Sequence, residues 1–332
     1  MPKLQQIARI EHPKVRSLVW NGNQLIDWVG GGTVFELDGT IVAAKVRYAF
    51  AFNAACSSAD NMFVAIYDRL GTKGLLLQDG KIVREIDRSY YHSGAYEYPL
   101  CFAKLESGRN VLIHCPEEYN RIEIEDCETG DRLTRSDIRE PADFFHSRLA
   151  VSSDNSFLLS AGWIWHPLDG ICLFKIEEAL VKPNCLDRSR LMPRQSTEIS
   201  SAAFFGGNKL IVSTSAETLS DGKFTSNEFQ PNMISVWDIA GQSIVSQAKI
   251  SEPVGTLMVI DEDHAVGFYE SPKLVQLKSG EIISRLPNVS SGKQTSSIVH
   301  HIDELPPIAM DEVGKRFAIA DPDGITVVAI EN

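Results

Sequence analysis

The chain has 332 residues, 43% hydrophobic and 23% charged, a balance that supplies a buried core and excludes a disordered chain. Acids outnumber bases 44 to 32, for a formal net charge of −12. Binding to phosphate backbones needs clustered Lys and Arg, so nucleic acid is not expected as the main partner, and a basic protein is favoured instead.

The first residues, MPKLQQIARIEHPK, contain no apolar stretch of the kind a secretion signal needs. No apolar run approaches the ~18 residues of a membrane span, so a membrane location is not expected. The six cysteines are Cys56, Cys101, Cys115, Cys127, Cys172 and Cys185, and none forms a CxxC pair. They read as reduced, mostly buried thiols of a cytoplasmic protein.

In chain order, Leu4–Ile10 (LQQIARI) comes first and stands outside any repeat. Short apolar or alternating runs follow: FVAIYD (63–68), GLLLQ (74–78), VLIH (111–114), FLLSAGW (157–163), KLIVSTS (209–215), MISVWDI (233–239) and ITVVAI (325–330). These are strand patterns, and only Ile176–Leu180 has helical spacing. One kind of turn precedes an apolar strand seven times, at Gly22, Asp60, Gly108, Asp154, Gly207, Glu262 and Gly314. The intervals run from about 40 to 55 residues, the size of a four-stranded propeller blade. A second, Gly-containing turn follows in LDGTIV (37–42), QDGKIVREI (78–86), ETGDRLTR (128–135), AGQSIVSQ (240–247) and KSGEIISRL (278–286). Gly takes the positive φ of such hairpins.

The expected fold is therefore all-β, a seven-bladed β-propeller occupying residues 1–332. Its blades fall near 14–48, 49–90, 98–137, 146–190, 199–250, 254–287 and 307–332. Six or eight blades would also fit units of this length. The seventh unit lacks a fourth strand, and residues 4–10 would supply it and close the ring.

Two sites carry a family likeness. Ser152-Ser153-Asp154-Asn155, followed by Phe157 and Leu158, resembles the turn before the second strand of WD-repeat blades, and Val236-Trp237-Asp238 resembles the dipeptide that ends the third. The Gly-His pair of that family is missing throughout. The resemblance implies that Trp237 packs, buried, between blades.

Strand order sorts the loops by face. Turns linking first to second strands, and most of those linking third to fourth, are short and share one face; the blade-four stretch around Ile176–Cys185 is the exception. The long segments fall mostly on the other: 87–98, 137–146, 187–198 and 287–307 between blades, and 165–170 and 217–232 within them. Long loops cost closure entropy and are often kept for function, so this face is the expected binding surface. Residues 87–98 (DRSYYHSGAYEY) hold Tyr90, Tyr91, His92, Tyr96 and Tyr98, half of the chain's eight tyrosines. Together with Asp221, Phe224 and Phe229 they form the candidate partner-binding set, with exposed aromatic rings expected and at least two of the tyrosines on the surface.

Catalytic signals are sparse. His300-His301 with Asp303 and Glu304 lies in an extended segment, where adjacent side chains point apart and chelate poorly. His114-Cys115 ends an apolar strand, where a core cysteine is the default. There is no G-x-S-x-G elbow, and Gly30-Gly31-Gly32 lies between strands without a following Lys, which reads as a turn. The expected function is a non-enzymatic scaffold for a basic protein, with neutralisation of a toxin or effector as one version. No cofactor or metal is expected. The alternative is a lactonase, lyase or hydrolase working in the central channel, although the first-strand segments there are mostly apolar or small.

Overall fold

A computed structural model describes residues 2–44, 46–165, 168–189, 191–192, 195–219, 225 and 227–331. Its strands fall into seven antiparallel sheets arranged as the blades of a β-propeller. The chain begins with β1 (Lys3–Glu11). Blade one follows with β2 (Val19–Asn21), β3 (Gln24–Asp27), β4 (Thr33–Glu36) and β5 (Ile41–Val42). Blade two contains β6 (Ala54–Ser57), β7 (Phe63–Tyr67), β8 (Lys73–Gln78) and β9 (Lys81–Asp87). Blade three is β10 (Leu100–Lys104), β11 (Asn110–His114) and β12 (Glu123–Asp126). Blade four is β13 (Leu149–Val151), β14 (Phe157–Ile164) and β15 (Leu168–Lys175), followed by the short helix α1 (Ile176–Val181) and a 3-10 turn at Pro183–Asp187. Blade five has β16 (Thr197–Phe205), β17 (Lys209–Thr218), β18 (Met233–Asp238) and β19 (Ser243–Lys249). Blade six has β20 (Leu257–Val259), β21 (His264–Tyr269), β22 (Ser271–Gln276) and β23 (Ile282–Arg285). Blade seven has β24 (Ile308–Asp311), β25 (Arg316–Asp321) and β26 (Gly324–Glu331).

The ring closes as expected. β1 joins blade seven as its outer strand, pairing with β26 from Lys3 opposite Glu331 to Glu11 opposite Gly324. This pairing leaves β26 no open edge and ties the two ends of the ring together.

Turn chemistry explains the regularity. Asp79 and Gly80 both have positive φ (49° and 75°), as a tight hairpin between β8 and β9 requires. Blades two and four share one turn. Ser58 and Ser152 each donate from Oγ to an aspartate two residues on, Asp60 at 2.7 Å and Asp154 at 2.6 Å. Each serine Oγ also accepts a backbone N–H, from Phe63 and Phe157 respectively. In both turns the following asparagine, Asn61 or Asn155, takes positive φ. Asp60 further accepts from Lys104 and Asn110, stitching blade two to blade three.

The core lies between the blades. Seven hydrophobic clusters occupy the seven seams, one for each adjacent pair. Trp237 is buried at the seam of blades four and five, against Leu159, Ile171 and Leu173 of blade four. Middle strands are wrapped on both faces, so β11 is buried at every residue, whereas the outer strand β9 is mostly exposed.

Four strands per blade do not hold throughout, because among the described residues blades three and four have three. Side chains stand in for the missing backbone. Along β15, the N–H groups of Ile171 and Leu173 donate to Gln195 Oε1 (2.8 Å) and Ser189 Oγ (2.9 Å). The same two side chains donate back to the carbonyls of Ile171 and Leu173. In blade three, Thr134 Oγ1 accepts from the Ile124 N–H. Both edges are thereby satisfied and blunted against pairing with another strand.

Candidate functional site

An eighth hydrophobic cluster belongs to no seam. It consists of Tyr96, Phe145 and Trp163, with Ala95, Tyr119 and Ile298 packed against it, and it lies on the long-loop face over blades three and four. Five connections meet there: 87–98, 115–122, 138–148, the turn after Trp163 and 287–307.

Its foundation is a backbone contact. Phe145 and Trp163 exchange both N–H···O bonds (2.8 and 3.1 Å), extending the β13–β14 pairing to the loop end of the blade. Gly162 makes this possible, because a Cβ there would meet the Phe145 carbonyl oxygen at 1.9 Å. The two rings then stack with centroids 3.9 Å apart. Tyr119 stacks on the other side of Phe145 at 4.2 Å, and its hydroxyl donates to Asp143 at 2.8 Å. Burial, followed by the bond to Asp143, pushes the Tyr119 phenol up to about 12, so it remains a neutral donor.

The tyrosine-rich loop sits over this floor. It is wound around Arg88, whose guanidinium donates to the carbonyls of Gly71, Ser93 and Tyr96. The same group lies over the rings of Tyr96 (4.7 Å) and Tyr98 (5.0 Å). Arg88 is buried, and that burial lowers its pKa from the ordinary guanidinium value. His92 has φ +53°, an uncommon geometry for a non-glycine residue, in a turn that presents Tyr91 and His92 outward. Tyr91 packs on Tyr119 (5.0 Å) and Phe145 (5.9 Å), and His92 lies edge-on to Trp165 (5.2 Å).

The sequence-derived candidates divide accordingly. Tyr90 and Tyr91 are exposed, at 85% and 41%, and His92 is exposed with them. Tyr96 and Tyr98 are buried, contrary to the expectation of surface rings, because Arg88 draws both into the loop's interior. Phe229 is also buried, packed edge-on to Trp237 in blade five with its carbonyl held by Thr197. Asp221 and Phe224 lie outside the described residues. Sequence reasoning missed Tyr119, Phe145, Trp163 and the exposed Trp165. The alternation Trp163-Ile164-Trp165 was the available signal, since it sets both tryptophans on one side of an extended segment.

The 287–307 connection crosses this face. It is fixed to blade six where Glu270 and Gly292 pair, and to blade four where the Ser297 N–H and hydroxyl donate to the buried Asp169. Ile298 then pairs with Tyr96 and the Val299 N–H donates to Ala95. The segment is thus a strap over the axis of the ring, forming one side of the aromatic cluster.

The catalytic motifs resolve differently. His300 and His301 are exposed on the strap with their rings 5.4 Å apart. Among the described residues no three His, Cys, Asp or Glu side chains converge. His114 is buried 3.4 Å from Glu125, and Cys115 is part of the seam between blades three and four. Cys56, Cys101, Cys115, Cys127 and Cys172 are free thiols, and Cys185 Sγ donates to Glu178 at 3.1 Å. Gly31 and Gly32 form a turn with φ near +88°. Among the described residues no helix is long and apolar enough to cross a membrane. No family model matches the chain, and no curated protein matches it.

Proposed function

We propose that this propeller is a protein-interaction scaffold and that the aromatic cluster on its long-loop face docks a partner through basic side chains. The supporting observation is the eighth cluster. The other seven hold blades together, while this one carries exposed Tyr91, His92 and Trp165 on a stacked floor, with exposed Tyr90 next to them in the loop. Interfaces draw most of their energy from such aromatic anchors. Exposed Glu118 and Asp143 flank Tyr119 at the rim, so the rings and the local charge both favour a cationic side chain. Neutralisation of a basic toxin or effector is one form this role could take. The Ser152–Asn155 turn and the seam position of Trp237 support reading the chain as a divergent relative of WD-repeat propellers.

A peptide display experiment tests this reading. Peptides retained by the wild type should be enriched in Lys and Arg. Tyr91→Ala and Trp165→Ala should each weaken a retained peptide by about 2 kcal/mol, roughly 30-fold in Kd. Retention of acidic or uncharged peptides, or equal binding by both variants at unchanged Tm, would contradict it.

A further inference from the structure

The axis of the ring holds a second concavity, distinct from the aromatic surface. It is a channel of about 480 Å³ lined by the first strands of the blades and covered on the long-loop side by the strap residues Ser291, Gln294 and Leu305. That volume lies in the range of pockets that enclose metabolite-sized molecules. Most of the wall is small and apolar, with Ala54, Ala150 and Ala202 as examples.

The polar groups are distributed unevenly. Arg16, Arg69 and Arg148 line the channel, all at the ends of strands that face the strap. Two carboxylates line it as well. Glu97 is taken by Arg69 at 3.2 Å. Glu312 sits at the opposite end, next to the short turns, and is exposed. Arg69 is thus offset by Glu97 and Arg148 by Asp169, which leaves Arg16 as the strap-end cation without such a partner, in a chain whose net charge is −12. Arg16 donates to the Val29 carbonyl and has no carboxylate within ion-pair distance among the described residues.

Arg148 has φ +41°, a conformation costly for a side chain of this size. Its guanidinium donates to the carbonyls of Ala161 and Ser200, which fixes its position. Nη2 is left buried without a hydrogen-bond acceptor. Nη2 lies within ion-pair distance of Asp169 (3.7 Å), whose two oxygens also accept from Ser297 of the strap. Two hydroxyls on the channel wall, Ser201 and Ser291, are also buried and unpartnered. Unpaired buried donors are costly and call for an acceptor.

We infer that the strap end of the channel binds a small oxyanion-bearing molecule, a carboxylate or a phosphate ester, through Arg16, Arg148, Ser201 and Ser291. Oxygen acceptors would satisfy the buried donors left open on Arg148, Ser201 and Ser291, and the exposed Arg16 would add a charge-assisted bond.

The test is titration of the full chain with inorganic phosphate and, separately, citrate, against sodium chloride at matched ionic strength. Calorimetry and Tm are both recorded. Saturable binding with a raised Tm supports the site. Response to phosphate alone identifies a phosphate-bearing ligand, response to citrate alone a carboxylate, and response to both an oxyanion site without further selection. Arg16→Gln and Ser291→Ala are each expected to weaken the response roughly tenfold, the value of one charge-assisted bond. Arg148→Gln also removes two structural bonds, so its result counts only if Tm without anion is retained. Absence of saturable binding by either anion, or binding unchanged in both Arg16→Gln and Ser291→Ala, would overturn the inference.

Discussion

Arg88 shows how one side chain decides which neighbours reach the surface. Four tyrosines within nine residues look alike in sequence, yet the guanidinium takes the faces of Tyr96 and Tyr98 and leaves Tyr90 and Tyr91 outside. One buried histidine should shape stability against pH. Burial lowers His146 from 6.5 to about 3, with its Nδ1 2.9 Å from Ser160 Oγ. The unfolded chain takes up that proton first. Stability should be lost as pH falls from 6.5 towards 3, and His146→Gln should flatten this acid limb if the variant folds.

Among the elements, strands and tight turns were legible because their chemistry is local. Asp-Gly and Ser-Gly hairpins, and the Ser-x-Asp-Asn turns, depend on residues a few positions apart. The missing outer strands of blades three and four were not legible. ETGDRLTR has the turn that normally introduces such a strand, but only Arg132 bridges back to Glu125, and the Thr134 hydroxyl takes the next position. A side chain imitating a backbone leaves no periodic trace. The aromatic site was half legible for a related reason. Tyr90, Tyr91 and His92 are concentrated in one loop, whereas Tyr119, Phe145, Trp163 and Trp165 come from three other loops and meet only through the ring. Gly162 is the element-scale hinge of that meeting. Gly162→Ala should force the Phe145 backbone away, cost about 1–3 kcal/mol, and diminish the near-UV circular dichroism of the stacked rings. At the seam of blades four and five, Trp237→Ala should cost roughly 3–5 kcal/mol in denaturant unfolding.

For the whole molecule, closure by β1 links stability to both ends of the chain. Removal of residues 1–11 would leave β26 unpaired and take Leu4 and Ile10 from two seams, so the truncated protein should melt at a clearly lower temperature. An unchanged Tm would show that the pairing contributes nothing. The ring also sorts chemistry by face. Mostly short turns occupy one side, apart from α1 and the 3-10 turn of blade four, and five converging connections with exposed aromatic rings occupy the other. The most direct measurement of this assignment is quantitative affinity capture from the native source with three baits of equal Tm. These are the wild type, the double variant Tyr91→Ala/Trp165→Ala, and Val313→Ala, which changes a residue 98% exposed in a short turn of blade seven. The account predicts a basic protein captured by the wild type and by Val313→Ala and lost from the double variant. Capture retained by the double variant and lost from Val313→Ala would place the binding surface on the opposite face.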